Sequence, residues 1–382
     1  MKIVIAPDSF KESLSATEVA DQIEAGFREI FPDLECFKLP MADGGEGMVA
    51  ALVAATGGKI VSAPVTGPMG EKVEAFYGIT GDGNTAIIEM AAASGLSLVP
   101  PLLRNPLKTT SFGTGELILT ALDAGLRNLI IGIGGSATND AGAGMLQSLG
   151  VKLLDQHGKE ISTGGEGLAQ LSRIDIGNLD LRLQQCQVQV ACDVDNPLTG
   201  INGASVVFGP QKGATPEMIA SLDQALANFA SLVQRDVQRD VANVPGAGAA
   251  GGMGAAMLAF LNAELRSGVD IVIEATGLDD AISRADLVIS GEGRIDRQSA
   301  YGKTPVGVAR VAARHNVPVI GIAGSLGEGA PLIYQHGFSA LFSVVNGPCS
   351  LEEALADAAE NIRITARNIA AVISLAQRLR KE

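Results

Sequence analysis

Residues 129–150 read LIIGIGGSATNDAGAGMLQSLG. Residues 129–133 are a short, mostly apolar run, which fits a buried parallel strand. Gly132, Gly134 and Gly135 then leave the backbone open where a Cβ would block another atom. Ser136, Thr138, Asn139 and Asp140 add hydroxyls, an amide and a carboxylate, and residues 141–149 are predicted as a helix. A strand, a glycine turn and a helix N-terminus gather free N–H groups and the positive end of a helix dipole at one point. That point suits an anion such as a phosphate. Gly132, Gly134 and Ala137 also meet the G-x-G-x-x-A spacing of a dinucleotide turn, with Asp155 as the acid. A nicotinamide enzyme is therefore one reading, and tight packing of helix on strand is another.

The rest of the chain narrows the choice. At 382 residues it exceeds what one core holds, which points to two domains. Hydrophobic residues make up 47%, enough for substantial cores, while the 47 glycines fall in clusters and argue for backbone-lined turns rather than a repeat. The net charge of −14, with no basic run, speaks against nucleic acid. Four cysteines show no metal-ligand spacing and read as thiols in a reducing compartment. The N-terminus enters a strand directly and no apolar stretch is long enough for a bilayer, so the expectation is a cytoplasmic protein without signal peptide or membrane span.

Both chain ends alternate strand and helix. Residues 3–6 are predicted as a strand. A helix follows over 15–30, with the capping box Ser15-x-x-Glu18 and Val19, Ile23, Phe27 and Ile30 on one face. A strand over 36–39 and a helix over 47–56 come next. Near the C-terminus, strands are predicted over 287–290, 319–323 and 341–345. A helix is predicted over 305–315 with Thr304 as N-cap, and a last helix starts at Ser350 and runs to the end. Between the ends, residues 59–89 alternate polar and apolar around Gly-Pro and Gly-Asp-Gly turns, as antiparallel hairpins do. A long helix is predicted over 216–237. The fold class expected is α/β: a Rossmann-like parallel-sheet domain formed by both chain ends (1–62 plus 284–382), with a second α/β domain inserted (63–283). The active site is expected in a cleft between them.

Several Gly-, Asp- and Lys-rich segments follow strands, where open parallel sheets bind ligands. Asp8-Ser9-Phe10-Lys11 suits an anionic ligand, or caps the helix at Ser15. In ADGGEG (42–47), Asp43 and Glu46 suit Mg²⁺, or a solvated turn. ACDVDNP (191–197) offers Asp193 and Asp195. FGPQKG (208–213) holds Lys212 in a tight loop. PGAGAAGGMG (245–254) admits either a ligand or a close-packed helix. GEGRID (291–296) supplies Arg294 and Asp296, and Gly302-Lys303-Thr304 opens a helix. Arg297 stands where a Walker A motif needs glycine, so this is no P-loop, although Lys303 remains a phosphate contact. No Ser-His-Asp grouping or zinc spacing is present. Lysines, amide donors and many carboxylates are the parts phosphoryl transfer needs, whereas hydride transfer leaves most of them unexplained.

APDSFKESLSA (6–16), ADGGEG (42–47), EMAAASGL (89–96), TSFGTGEL (110–117), GIGGSATNDAGAGM (132–145), ACDVDNPL (191–198), FGPQKGA (208–214), GAGAAGGMG (246–254) and GEGRIDRQS (291–299) occur in this order. Together they resemble the bacterial type I glycerate kinase family, the glycerate 2-kinases of glyoxylate and glucarate use. The resemblance implies ATP and Mg²⁺ as cofactors, D-glycerate as substrate and 2-phospho-D-glycerate as product, and it leaves a homodimer open. Ala141 departs from the glycine common in the family. It lies past the turn and implies no loss of activity.

From the chemistry, Asp193 is expected to serve as base or orienter of the glycerate hydroxyl, with Asp8 next. Lys11 and Arg294 are expected to pair with the carboxylate or the transferring phosphoryl group. Gly134, Gly135 and Ser136, with Lys212 and Lys303, are expected to hold ATP phosphate. Asp43, Glu46 and Asp296 are expected at the metal. The competing readings are an NAD-dependent oxidoreductase on a small hydroxy acid, a kinase of another hydroxy acid, and a non-catalytic sensor of a small organic acid.

Overall fold

The computed structural model describes residues 1–301 and 303–379. The chain forms two compact units: Met1–Asp43, Ala50–Gly57 and Val269–Glu382 in one, Gly44–Val49 and Gly58–Gly268 in the other.

The first unit holds a five-stranded sheet in the order Phe338–Ser343, Val319–Leu326, Leu287–Ile295, Lys2–Pro7, Glu35–Lys38. Every neighbouring pair is parallel. Ile3, Val4, Ile5 and Ala6 are all fully buried, the near-continuous apolar run that a strand covered on both faces requires. The helix Ala16–Arg28 opens with the Ser15–Glu18 capping box. Its Val19, Ile23 and Phe27 share a core with Ile3, Ile5 and Ile289 and with Ile362, Ala366 and Ile369 of the helix Ala358–Leu379.

The second unit holds a six-stranded sheet in the order Glu264–Arg266, Gln187–Ala191, Asn128–Gly132, Thr85–Glu89, Lys72–Ile79, Lys59–Thr66. The first four strands run parallel, and the hairpin predicted from residues 59–89 supplies the antiparallel edge. The helix Pro216–Asp236, predicted over 216–237, buries Leu222, Leu226, Phe229 and Val233 at a 3.6-residue period. The expected fold class, α/β with a parallel Rossmann-like sheet from both chain ends and a second α/β region between them, is what the chain adopts. No helix among the described residues is long and apolar enough to cross a membrane.

Four local expectations change. Residues 291–295, read as loop, continue the strand Leu287–Ile295, because Glu292 to Ile295 keep pairing with Val319–Leu326. The helix expected from Ala141 starts at Ala143, since Ala141 and Gly142 take left-handed φ of 53° and 71°. Lys303, not Thr304, is the N-cap of the helix Thr304–Arg314, and Gly302 lies outside the described residues. The last helix is two helices, Leu351–Ala356 and Ala358–Leu379, broken at Asp357, and the expected run to the C-terminus lies outside the described residues beyond 379.

Removing the Ser15 hydroxyl leaves the Glu18 N–H without its cap. Ser15→Ala is expected to cost about 1 kcal/mol in chemical denaturation, with no change in the slope.

Candidate active site

The carboxyl ends of the first unit's strands open onto a cavity of about 550 Å³ lined by Asp8, Lys11, Asp43, Glu292, Arg294 and Lys303. Val344, Val345, Leu351 and Leu355 add apolar surface to it. The strand register decides which acids meet there. Pro7 pairs with Gly291, and the Asp8 N–H donates to the Gly291 carbonyl at 2.8 Å. Asp8, just past its strand, and Glu292, inside Leu287–Ile295, therefore lie side by side at the same level.

Asp8 Oδ1 accepts from the Ser9 N–H at 2.7 Å, and Oδ2 accepts from the Thr304 hydroxyl at 2.7 Å. Burial, then the charge of Asp43, pushes the Asp8 pKa up, and Thr304, Ser9 and Lys11 pull it back. Burial also holds Glu292 above the ordinary carboxylate range; Ser299 and Lys303 oppose this, and Asp8 and Asp296 add to it. Lys303 Nζ stands 3.7 Å from Glu292 Oε2. Glu292 Oε1 is buried and has no hydrogen-bond partner among the described residues. The two consecutive residues Lys303 and Thr304 thus attend to one acid each.

The three acids expected at a metal stand in different local settings. Among the described residues no three His, Cys, Asp or Glu side chains gather to hold a metal ion. Asp296 is tied down locally, with Oδ2 3.2 Å from Arg294 Nε and Oδ1 accepting from the Gln298 N–H at 2.8 Å. Glu46 is exposed and belongs to the second unit. Asp43 alone of the three lies in the cavity beside Asp8. Lys303, expected on a phosphate, faces Glu292.

In the second unit the glycine turn is spent mainly on backbone packing. A Cβ at Gly132 would stand 2.5 Å from the Gly44 carbonyl oxygen, and one at Gly134 would stand 3.1 Å from Gly45 Cα. Glu89, closing its strand, fastens that segment by accepting from the Val49 N–H at 2.7 Å. Gly134 and Gly135 remain exposed. Ser136 is buried, and its hydroxyl accepts from Lys212 Nζ at 2.7 Å, while Lys212 also donates to the Thr138 carbonyl at 2.6 Å. The ammonium expected on ATP phosphate therefore points into the protein. Burial lowers its pKa to about 7, with Asp140 acting against that. Asp140 is fully buried and accepts from the Ser111 N–H and hydroxyl at 3.1 and 2.8 Å and from the Gly142 N–H at 3.1 Å. These bonds hold the turn that delays the helix.

The Gly-rich stretch of residues 245–254 also resolves to packing, since a Cβ at Gly251 would stand 2.1 Å from the Thr138 carbonyl oxygen. Asp193 is exposed and accepts from the Gly268 N–H at 3.0 Å.

The dinucleotide reading loses its acid. Asp155 closes a local turn, accepting from the His157 and Lys159 N–H groups at 2.8 and 2.9 Å. It follows Lys152–Leu154, which pairs with Arg173–Asp175 in a separate two-stranded sheet rather than beside Asn128–Gly132. A ribose-binding acid has to end a strand of the main sheet.

Sequence reasoning missed Glu292, Glu89 and Asp140 as functional or organising groups. The signal for the first two is an acid set inside or closing an apolar strand: LVISGEGRI and TAIIE.

Lys212 carries a stability signature. Its folded pKa lies below its unfolded value near 10.4, so the unfolded chain binds more protons between about pH 7 and that value, and this group's contribution to stability rises with pH there. Melting temperatures from pH 7 to 10 are expected to rise in the wild type relative to Lys212→Met; parallel curves would show that the ammonium is not buried.

The comparisons agree along the whole chain. The family model described as the glycerate kinase family matches residues 3–374. The chain is 59% identical over 378 residues to the glycerate 2-kinase of Escherichia coli K12, covering 99% of both chains. It is 58% identical over 377 residues to the glycerate kinase of Bacillus subtilis 168, again covering 99% of both. A crystal structure of the protein proposed as glycerate kinase 2 in Salmonella typhimurium LT2 is similar with a TM-score of 0.91 at 60% identity, covering 99% of this chain and 100% of that one. The chain belongs to the glycerate kinase family and is a kinase.

Proposed function

We propose that the protein transfers the γ-phosphoryl group of ATP to the 2-hydroxyl of D-glycerate, releasing ADP and 2-phospho-D-glycerate. The observation that carries this reading is the cavity that sets paired carboxylates against three cations at the carboxyl ends of a parallel sheet. The name of the E. coli relative, glycerate 2-kinase, supports the position of the phosphate.

Phosphoryl transfer asks a protein for positioning and charge compensation more than for covalent chemistry. Lys11 and Arg294 line the cavity and fit the glycerate carboxylate or the phosphoryl oxygens. Asp8, fixed through both oxygens by Ser9 and Thr304, fits an acid that orients the acceptor hydroxyl. Asp193 is proposed as a second orienting acid. The exposed Gly134 and Gly135 are proposed as backbone donors to phosphate, braced from beneath by Ser136 on Lys212. A magnesium ion that arrives with a nucleotide keeps several waters and needs only one or two carboxylates, and Asp43 in the cavity fits that requirement. Bound Mg²⁺ would neutralise charge on the β- and γ-phosphates.

The test is an assay with Mg-ATP and D-glycerate coupled directly to enolase without phosphoglycerate mutase. Enolase signal is expected. ADP release without it would mean the 3-phosphate, and a nicotinamide absorbance change without ADP would mean an oxidoreductase. In the same assay Asp8→Asn is expected to lower kcat about 100-fold. Lys11→Met is expected to raise the KM for glycerate about tenfold or more, the loss of one charge-assisted contact.

A further inference from the structure

Glu292 has been given no separate role in phosphoryl transfer, yet among the described residues it is a cavity carboxylate with a buried oxygen that lacks a hydrogen-bond partner. It is 9% exposed, it lines the cavity, and Oε1 has no partner among the described residues. A buried, unpaired carboxylate oxygen is costly, and such groups in folded proteins call for a reason. Its neighbour Asp8 has a donor on each oxygen, from Ser9 and from Thr304. Asp296 likewise has both oxygens engaged, by Arg294 and Gln298. Lys303 approaches Oε2 of Glu292, at 3.7 Å, and the Ser299 hydroxyl also favours the charged form, yet Oε1 stays without a partner among the described residues.

We propose that Glu292 is a further catalytic residue, the base whose Oε1 takes the proton of the acceptor hydroxyl, and that Lys303 is its positioning residue. The proposal rests on the phosphoryl-transfer reading above. The O–H bond of the glycerate 2-hydroxyl breaks and its proton goes to Glu292 Oε1. The oxygen's electron pair forms the new O–P bond to the γ-phosphorus. The bond between that phosphorus and the β–γ bridging oxygen breaks, and ADP leaves with the electron pair. Glu292 returns its proton to water once the products have gone. Burial of Glu292 agrees with this role, since a base is most effective when its pKa is moved toward the working pH.

The experiment compares kcat, KM and the pH profile of the wild type, Glu292→Gln and Glu292→Asp in the enolase-coupled assay, with thermal melts of each. Glu292→Gln is expected to lower kcat about 100- to 1000-fold, with both KM values within about threefold. The base must be ionised, so wild-type kcat falls as pH drops through a pKa above the usual glutamate range, and this acid limb is expected to vanish in the glutamine variant. Glu292→Asp, which keeps a carboxylate, is expected to regain at least about tenfold of the lost rate.

A kcat within about threefold of wild type in Glu292→Gln, or an acid limb that persists there, overturns the proposal. If the glutamine variant does not fold, Glu292→Asp decides: an unchanged rate and acid limb overturn the proposal, and a lowered rate with a displaced limb supports it. Wild-type protein that forms no 2-phosphoglycerate would overturn the phosphoryl-transfer reading itself, before any variant is compared.

Discussion

The parallel pairing of Lys2–Pro7 with Leu287–Ile295 is the constraint on which the first unit depends. It joins the two ends of the chain into one sheet. The side-chain period of a strand is two, so a slip of one residue would turn one of the two acids, Asp8 or Glu292, to the opposite face. Ile3, Ile5 and Ile289 prevent the slip, because all three are needed in the core beneath the helices Ala16–Arg28 and Ala358–Leu379. The apolar core therefore fixes the chemistry at the strand ends.

Setting two acids side by side in a partly buried place is electrostatically unfavourable, and burial raises the pKa of each. The helix Thr304–Arg314 offsets this from its first residues: Thr304 donates to Asp8, and Lys303 faces Glu292. The helix N-terminus set against these two acids delivers a hydroxyl and an ammonium from consecutive positions. The arrangement leaves one acid fully engaged and the other with an open oxygen, an asymmetry suited to dividing orientation from proton transfer.

The second unit solves a different problem, that of folding irregular backbone tightly at strand ends. Gly132 and Gly134 admit the backbone of Gly44 and Gly45, and Gly251 admits the carbonyl of Thr138. Ala141 and Ala250 hold left-handed φ values of 53°, conformations that cost a non-glycine residue energy and persist only when their surroundings over-determine them. Around Ala141 the buried organisers, Asp140 on backbone N–H groups and Lys212 on Ser136 and the Thr138 carbonyl, supply that over-determination. The departure from glycine at Ala141 thus falls on a position whose backbone favours glycine, and the network around it carries the strain.

Local pattern was enough for much of this. The apolar run at residues 3–6, the capping box at Ser15, the alternation of residues 59–89 and the long helix from residue 216 each depend on neighbours a few positions away, and each formed. The ordered series of motifs identified the family for the same reason: each motif is complete within a dozen residues. Tertiary structure alone decided the partners. Lys212 reads as a free cation in a glycine loop until its burial is seen, Asp296 reads as a metal ligand until Arg294 is seen beside it, and Glu292 reads as a loop acid until the strand carries it to Asp8. Burial, register and charge pairing bring together residues up to 296 positions apart in the chain, and no local period or composition records them. The sequence by itself determined the elements and the family, and packing determined which side chains work together.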